Sequence, residues 1–187
     1  MNIIKTYVSK FLIGAAVLMA AFLSSCSNND YVKNIPNNCT ALLSVDAKRV
    51  EGVDGSGLLK KILPVEDVLS VGIDFKEKVY LFETVDGNIG LAAKIKNESD
   101  FTKNIDALVN SGVCTRPTKK ANISFVMIKN SWLVAYNSDA LMMVGPITVA
   151  ARPSVENFAI ACFRQEEEQS VMASKLYQRL DTIDAPI

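Results

Sequence analysis

The segment of residues 79–95, VYLFETVDGNIGLAAKI, is the clearest local signal of the fold, because two apolar runs meet there at Asp86-Gly87. Asp-Gly between alternating apolar residues is typical of a two-residue type I′ turn, so we predict a β-hairpin with Val85 opposite Asn88. Alternation with a period of two then places one set of side chains on the buried face: Tyr80, Phe82, Ile89, Leu91, Ala93 and Ile95. The opposite face is more polar, and we expect it to face solvent.

Outward from this hairpin, turn residues separate further apolar runs whose lengths suit strands or helices. The predicted strands are residues 40–45, 79–85, 88–95, 123–128, 132–136 and 141–144. The predicted helices are residues 57–63, about 101–110, 154–163 and 170–180. Ser99 or Asp100 is the expected cap of the second helix and Ser154 that of the third, while Gly112 is expected to end the second.

Short links between the last three strands indicate an antiparallel meander. Strands and helices follow one another without the regular alternation that marks a parallel sheet. We therefore predict an α+β fold, in which an antiparallel sheet of five to six strands, made of the hairpin and the meander, has helices packed on one face.

Residues 1–25 have the layout of a bacterial lipoprotein signal peptide. Lys5 and Lys10 form a basic start, and the apolar run of residues 11–23 follows. These 13 residues would span roughly 20 Å as a helix, against about 30 Å of hydrocarbon for a transmembrane helix. The step Leu23-Ser24-Ser25-Cys26 then places a cysteine where such signals are cleaved. We predict lipidation at Cys26, with an uncleaved anchor and simple secretion as alternatives.

Lipidation at Cys26 would attach the protein firmly to a membrane, since two or more acyl chains hold a protein stably where one does not. Ser27 rather than an acid follows the cysteine, which by analogy with enteric lipoproteins favours the outer membrane of a Gram-negative bacterium. The periplasmic and surface leaflets both remain open. We divide the chain into a signal peptide (1–25), a polar tether (26–38) and a single α+β domain (39–187).

Composition excludes several classes of function. Without Lys5 and Lys10 of the leader, 18 basic residues remain against 20 acidic ones, a net charge of −2, so nucleic acid is not a predicted partner. The chain contains no histidine, which removes the Ser-His-Asp and Cys-His forms of catalysis and histidine metal sites. No catalytic residue, metal site or cofactor is predicted.

Three cysteines follow Cys26, at Cys39, Cys114 and Cys162, and no two have C-x-x-C spacing. An oxidising envelope compartment would allow one disulfide, with one thiol left over. Free cysteines are more often small buried hydrophobic residues, which is the interpretation that we favour.

The aromatic side chains of the meander give the one candidate binding surface. Trp132 and Tyr136 share it with Phe125 and Met127, a composition that more often belongs to a core than to a ligand platform. We favour the core interpretation. If the domain binds a ligand, the exposed side of the meander near Trp132 and Tyr136 is the predicted place.

Three segments together resemble a family of envelope lipoproteins of unknown function from Bacteroidota. They are residues 31–46, the stretch from Gly72-Ile73-Asp74-Phe75 into Tyr80-Leu81-Phe82, and residues 170–187. The resemblance implies an envelope lipoprotein without assigned catalytic residues. Members of that family are considerably longer, so this chain is expected to be a truncated reading frame or a single-domain variant.

The leading functional prediction is a lipid-anchored cell-envelope protein that acts as a non-catalytic binding or assembly module. Its partners would be the membrane, through Cys26, and an envelope protein or glycan. One alternative is a histidine-free glycan hydrolase with paired carboxylates such as Glu83 and Asp86. The other is a purely structural spacer of the envelope.

Overall fold

The computed structural model describes residues 29–46, 48–49 and 72–183. The leader with Cys26, the helix predicted at residues 57–63 and residues 184–187 lie outside the described residues. The described part of the chain contains seven strands: β1 (Ala41–Val45), β2 (Val79–Glu83), β3 (Ile89–Lys94), β4 (Thr118–Lys120), β5 (Ile123–Ile128), β6 (Trp132–Tyr136) and β7 (Ala140–Gly145). It also contains three α-helices: α1 (Glu98–Asn110), α2 (Arg152–Arg164) and α3 (Lys175–Asp181). Within these residues no helix is both long enough and apolar enough to cross a membrane.

The seven strands form one antiparallel sheet in the order β1-β2-β3-β7-β6-β5-β4. Two meanders, β1 to β3 and β4 to β7, are joined by the β3–β7 pair. The predicted α+β class with an antiparallel sheet is confirmed. The sheet has seven strands rather than five or six, because β4 is a short, exposed edge strand of sequence TKK without the apolar alternation that the prediction required.

The β2–β3 hairpin is paired one residue away from the predicted register, with Phe82 opposite Gly90. The Thr84 N–H donates to the Asn88 carbonyl oxygen at 2.9 Å, and the Gly87 N–H donates to the Thr84 carbonyl oxygen at 2.9 Å. The loop therefore has three residues and ends at Gly87 with φ 77°, as in a type I turn followed by a glycine bulge. The predicted two-residue type I′ turn is wrong.

This shift of one residue divides the predicted apolar face between the two sides of the sheet. Leu91 and Ala93 belong to one core cluster, which we call the front core. Tyr80 and Phe82 belong to the other, the back core. The side that was expected to face solvent is packed as well, since Leu81 lies against the front core.

α1 covers the front face of the sheet, with Phe101 of its first turn fully buried. Its N-terminal cap is Asn97, not Ser99 or Asp100 as predicted: the Asn97 Oδ1 accepts a hydrogen bond from the Asp100 N–H at 3.2 Å. Gly112, with φ 74°, follows the C-terminal cap of the helix and ends it as predicted.

Helical segments also cover the back face. α2 contributes Ala159 and α3 contributes Tyr177 to the back core. The prediction that helices pack on one face is therefore wrong, because it assumed that the sheet has only one apolar face. α2 begins at Arg152, before the predicted cap at Ser154.

The compact domain begins earlier than the predicted boundary at residue 39. A 3-10 helix at Asp30–Asn34 precedes β1, and Tyr31, Val32 and Ile35 are 4%, 0% and 0% exposed in the back core. The compact unit starts at Tyr31. Residues 31–38 of the predicted tether (26–38) therefore belong to the domain, because three apolar side chains among them are core residues.

Candidate functional site

The two residues of the predicted binding surface lie inside the front core. Trp132 is 6% exposed and Tyr136 is 4% exposed. The Trp132 ring covers Gly145 on the neighbouring strand, where an added Cβ would come within 2.6 Å of it. The Tyr136 ring meets Phe101 edge-on, with 5.0 Å between ring centroids. Neither side chain is available to a ligand, so their placement on an exposed surface was wrong and the core interpretation agrees with their burial.

The cysteines of the described residues are free thiols. Cys114 and Cys162 are buried, as we expected of small hydrophobic residues, and Cys39 is half-buried. Burial raises the pKa of all three thiols, that of Cys162 to about 12. Because the thiolate is the reactive form of cysteine, a raised pKa favours a structural role for these side chains.

A cleft of about 140 Å³ opens beside the turn of the β2–β3 hairpin. Its apolar lining comes from four parts of the chain and consists of Pro36, Val85, Val144, Val155 and Phe158. The polar lining consists of Asn38, Thr84, Asp86, Asn88 and Ser154. Apolar side chains together with a few polar ones are the usual lining of a small-ligand site, so this cleft is the candidate functional site.

The three-residue turn of the hairpin forms one wall of the cleft. The Thr84 side chain is 6% exposed, and its hydroxyl oxygen accepts a hydrogen bond from the Asn88 N–H at 3.1 Å. Together with the two backbone hydrogen bonds that close the turn, this bond gives the loop that carries Asp86 three internal hydrogen bonds. Val85 in the same loop is 62% exposed.

The first two turns of α2 also line the cleft, with Ser154, Val155 and Phe158, and they are held to β4 through Glu156. This carboxylate is 2% exposed. Its Oε1 accepts a hydrogen bond from Arg152 Nε at 2.7 Å, and its Oε2 pairs with Lys120 Nζ of β4. Burial by itself would raise the pKa of Glu156, but the hydrogen bonds from Lys120 and Arg152 outweigh it and hold the pKa below its ordinary value. Arg152 also donates to the Thr118 hydroxyl at 3.2 Å.

Several polar side chains of the cleft are free to meet a ligand. Within the described part of the chain, no side-chain hydrogen bond is formed by four of them: Asn38, Asp86, Asn88 and Ser154. Amides offer both donors and acceptors, a hydroxyl offers either, and the carboxylate of Asp86 accepts only. The cleft can therefore hold a small ligand by hydrogen bonds from these side chains and by contact with its apolar lining.

The acids proposed for a glycan hydrolase do not come together at this site. Asp86 is the one acidic residue among the described residues that line the cleft, and Glu83 is not among them. The Glu83 carboxylate instead accepts a hydrogen bond from the Thr40 hydroxyl at 3.0 Å. Glycoside hydrolysis needs two facing carboxyl groups, so the geometry of the cleft gives this alternative no support.

Comparisons with protein-family models, with curated proteins and with solved structures find no match for this chain.

Sequence reasoning did not find the cleft, although it singled out the Asp86-Gly87 turn at its edge. The lining residues run from Pro36 to Phe158, and no spacing in the sequence links them. Their assembly depends on the hairpin register and on the docking of α2, neither of which the sequence pattern predicts correctly. Among the lining residues, only Asp86 stands out in the sequence, as an acid at a turn, and the preference of turns for aspartate is enough to explain its presence.

Proposed function

We propose that this chain is a lipid-anchored cell-envelope protein, acylated at Cys26, which acts as a non-catalytic binding or assembly module. The observation that carries the proposal is the leader, in which a basic start and a 13-residue apolar run are followed by Leu23-Ser24-Ser25-Cys26. An apolar run of that length suits a signal peptide better than a membrane span. The resemblance of three later segments of the chain to Bacteroidota envelope lipoproteins leads to the same proposal. We further propose that the membrane is the outer membrane of a Gram-negative bacterium.

Metabolic labelling with palmitate tests the anchor. The full-length chain is expected to incorporate label and to fractionate with membranes, whereas the Cys26→Ala variant should lose both properties. Cys39→Ala is the matched control, because Cys39 is the next cysteine and is half-buried in the domain; it should label like the parent chain. Unlabelled parent protein that is released in soluble form would contradict the proposal.

The cleft beside the β2–β3 turn supports the binding role within this proposal. Its free side chains are two amides, a hydroxyl and the carboxylate of Asp86, set around Phe158 and three valines. Such a set can hold a ligand by hydrogen bonds and apolar contact, but the lining residues that the structure describes include no second acid or base to pair with Asp86. This arrangement therefore supports ligand binding better than catalysis.

Site-directed photocrosslinking in intact cells tests the binding role. A photoreactive amino acid in place of Asp86, at the cleft, is expected to give a crosslinked product whose mass identifies a protein or a glycan. The same amino acid in place of Asp139, an exposed acid at a turn between β6 and β7, is the matched control. Asn88→Ala should weaken the crosslink from position 86. Equal products from positions 86 and 139 would contradict a role for the cleft.

A further inference from the structure

The first part of the domain, residues 31–36, is held in place by contacts with distant parts of the chain. We call it the N-terminal segment. Gln165 Nε2 donates to the carbonyl oxygens of Lys33 at 2.6 Å and Ile35 at 3.0 Å. The Val171 N–H donates to the Ile35 carbonyl oxygen at 2.9 Å, and the Tyr31 hydroxyl donates to the Lys78 carbonyl oxygen at 2.6 Å.

Burial adds to these hydrogen bonds. Val32 and Ile35 are both 0% exposed, and each such side chain contributes roughly 1.5–3 kcal/mol by its removal from water. Pro36 forms an isolated antiparallel β-bridge with Ser170. Since the polar and the apolar groups of the N-terminal segment both have partners elsewhere in the domain, it does not act as a tether.

The free length of chain after the lipid is therefore much shorter than the sequence predicted. A tether of residues 26–38 could extend over roughly 45 Å at about 3.5 Å per residue. The chain from Cys26 to Tyr31 comprises five residue steps and can extend over at most about 18 Å. This limit follows from covalent geometry alone, whatever conformation residues 27–30 adopt.

We infer that the mature protein is held at the surface of the bilayer that contains its lipid, because no more than five residue steps separate Cys26 from the compact domain at Tyr31. The inference rests on the proposed acylation of Cys26 and adds what the fold decides, namely the reach of the anchored domain. The partner surface is the lipid bilayer itself. Any other partner of the domain must reach this membrane surface, because the packed N-terminal segment prevents the domain from moving further from the bilayer.

Neutron reflectometry on a supported phosphatidylcholine bilayer tests the inference with the purified, lipidated mature protein. The water layer between the lipid headgroups and the protein should be no thicker than about 18 Å. A variant with about 20 Gly/Ser residues inserted between Asn28 and Asn29 keeps every core residue, and its layer should widen by roughly 25 Å. A thicker layer for the parent protein, or equal layers for the two proteins, would overturn the inference.

A second variant tests whether the N-terminal segment sets this distance. Val32→Asp places a carboxylate at a fully buried position, so the segment is expected to leave the core and to lengthen the tether by about 20 Å. Lys33→Asp puts the same group on the neighbouring, half-buried residue and should leave the layer unchanged. Equal layers for these two variants, with circular dichroism showing both folded, would also overturn the inference; if Val32→Asp unfolds, the insertion variant alone decides. Absence of acyl groups from Cys26 in the mass spectrum of the purified mature protein would instead contradict the proposed acylation.

Discussion

At the scale of single residues, the contact between Phe82 and Gly90 accounts for the register of the central hairpin. The two residues are directly opposite each other, and a Cβ at Gly90 would overlap the Phe82 ring. Phe82 is 2% exposed, so the surrounding back core prevents its ring from moving aside. Glycine leaves room for the ring, which makes this pairing favourable and shifts the hairpin from a type I′ turn to the three-residue loop.

The first prediction is that Gly90→Ala destabilises the domain by about 1–3 kcal/mol, because it overpacks a core that has no room to expand. Urea unfolding followed by circular dichroism measures the change in the free energy of unfolding. Phe82→Leu in the same background should recover part of the loss, since a smaller side chain leaves space for the new methyl group. A neutral effect of Gly90→Ala would show that the contact with Phe82 does not determine the register.

Ala121 carries the second prediction, because it is an L-residue at positive φ. Ala121 and Asn122 have φ values of 52° and 65° in the turn between β4 and β5, which is a conformation that glycine adopts without steric cost. Ala121→Gly is expected to raise the free energy of unfolding by about 0.5–1 kcal/mol. Ala107→Gly, at an exposed position in α1, should lower it by a similar amount. Destabilisation by both variants in urea would contradict the strain at Ala121.

At the scale of the elements, Glu156 connects α2 to the edge strand β4. Thr118–Lys120 has three exposed residues and no apolar side chain to bury, so its place in the sheet depends on backbone pairing with β5 and on polar contacts. Lys120 pairs with the Glu156 carboxylate and Thr118 accepts from Arg152. The same carboxylate fixes the N-terminal turns of α2, which form one wall of the cleft.

The third prediction is that Glu156→Gln destabilises the domain by about 1–3 kcal/mol at pH 7. The folded-state pKa of Glu156 is lowered, so its ionised form adds stability above the unfolded pKa, which is near 4.3. That contribution is lost as the pH falls through the lower folded pKa. The difference between parent and variant should therefore shrink towards pH 3 in urea titrations.

Glu168→Gln is the matched control for this effect, because Glu168 is exposed on a short 3-10 helix. It is expected to change the free energy of unfolding by less than about 0.5 kcal/mol at either pH. A pH-independent loss in Glu156→Gln would mean that packing, not charge, accounts for the role of Glu156.

At the scale of the whole molecule, the two meanders form one sheet only because β3 pairs with β7. Residues 89–94 lie against residues 140–145 along their full length, far apart in sequence. Both faces of the resulting sheet are buried, one under α1 and the other under α2, α3 and the N-terminal segment. The N-terminal segment is thereby part of the core, and the boundary of the domain is a property of the complete fold.

The fourth prediction concerns that boundary. A chain that starts at Asp30 should keep its stability, whereas a chain that starts at Asn37 loses Tyr31, Val32 and Ile35 from the back core. Burial of three such side chains contributes roughly 4–9 kcal/mol, which is comparable to the whole stability of a typical domain. Urea unfolding of the two truncated proteins measures the difference. Equal midpoints would place Tyr31 in the tether after all.

Features that depend on neighbouring residues could be predicted from the sequence. The α+β class, six strands and the helix before Gly112 all follow from local apolar patterns and glycines. The signal peptide of residues 1–25 is a prediction from the same kind of local pattern. β4 could not be found in this way, because a polar edge strand has no apolar pattern and exists only through its pairing with β5.

Four features depend on the complete fold: the hairpin register, the burial of Trp132 and Tyr136, the domain boundary at Tyr31 and the cleft. Each depends on which side of the sheet a residue faces, and a strand that is buried on both sides has no polar alternation to reveal this. Phe82 over Gly90 and Val32 in the back core are contacts between residues that the sequence pattern treats separately. Space-filling in the core therefore decided where side chains point, and with that, which surface is left for a ligand.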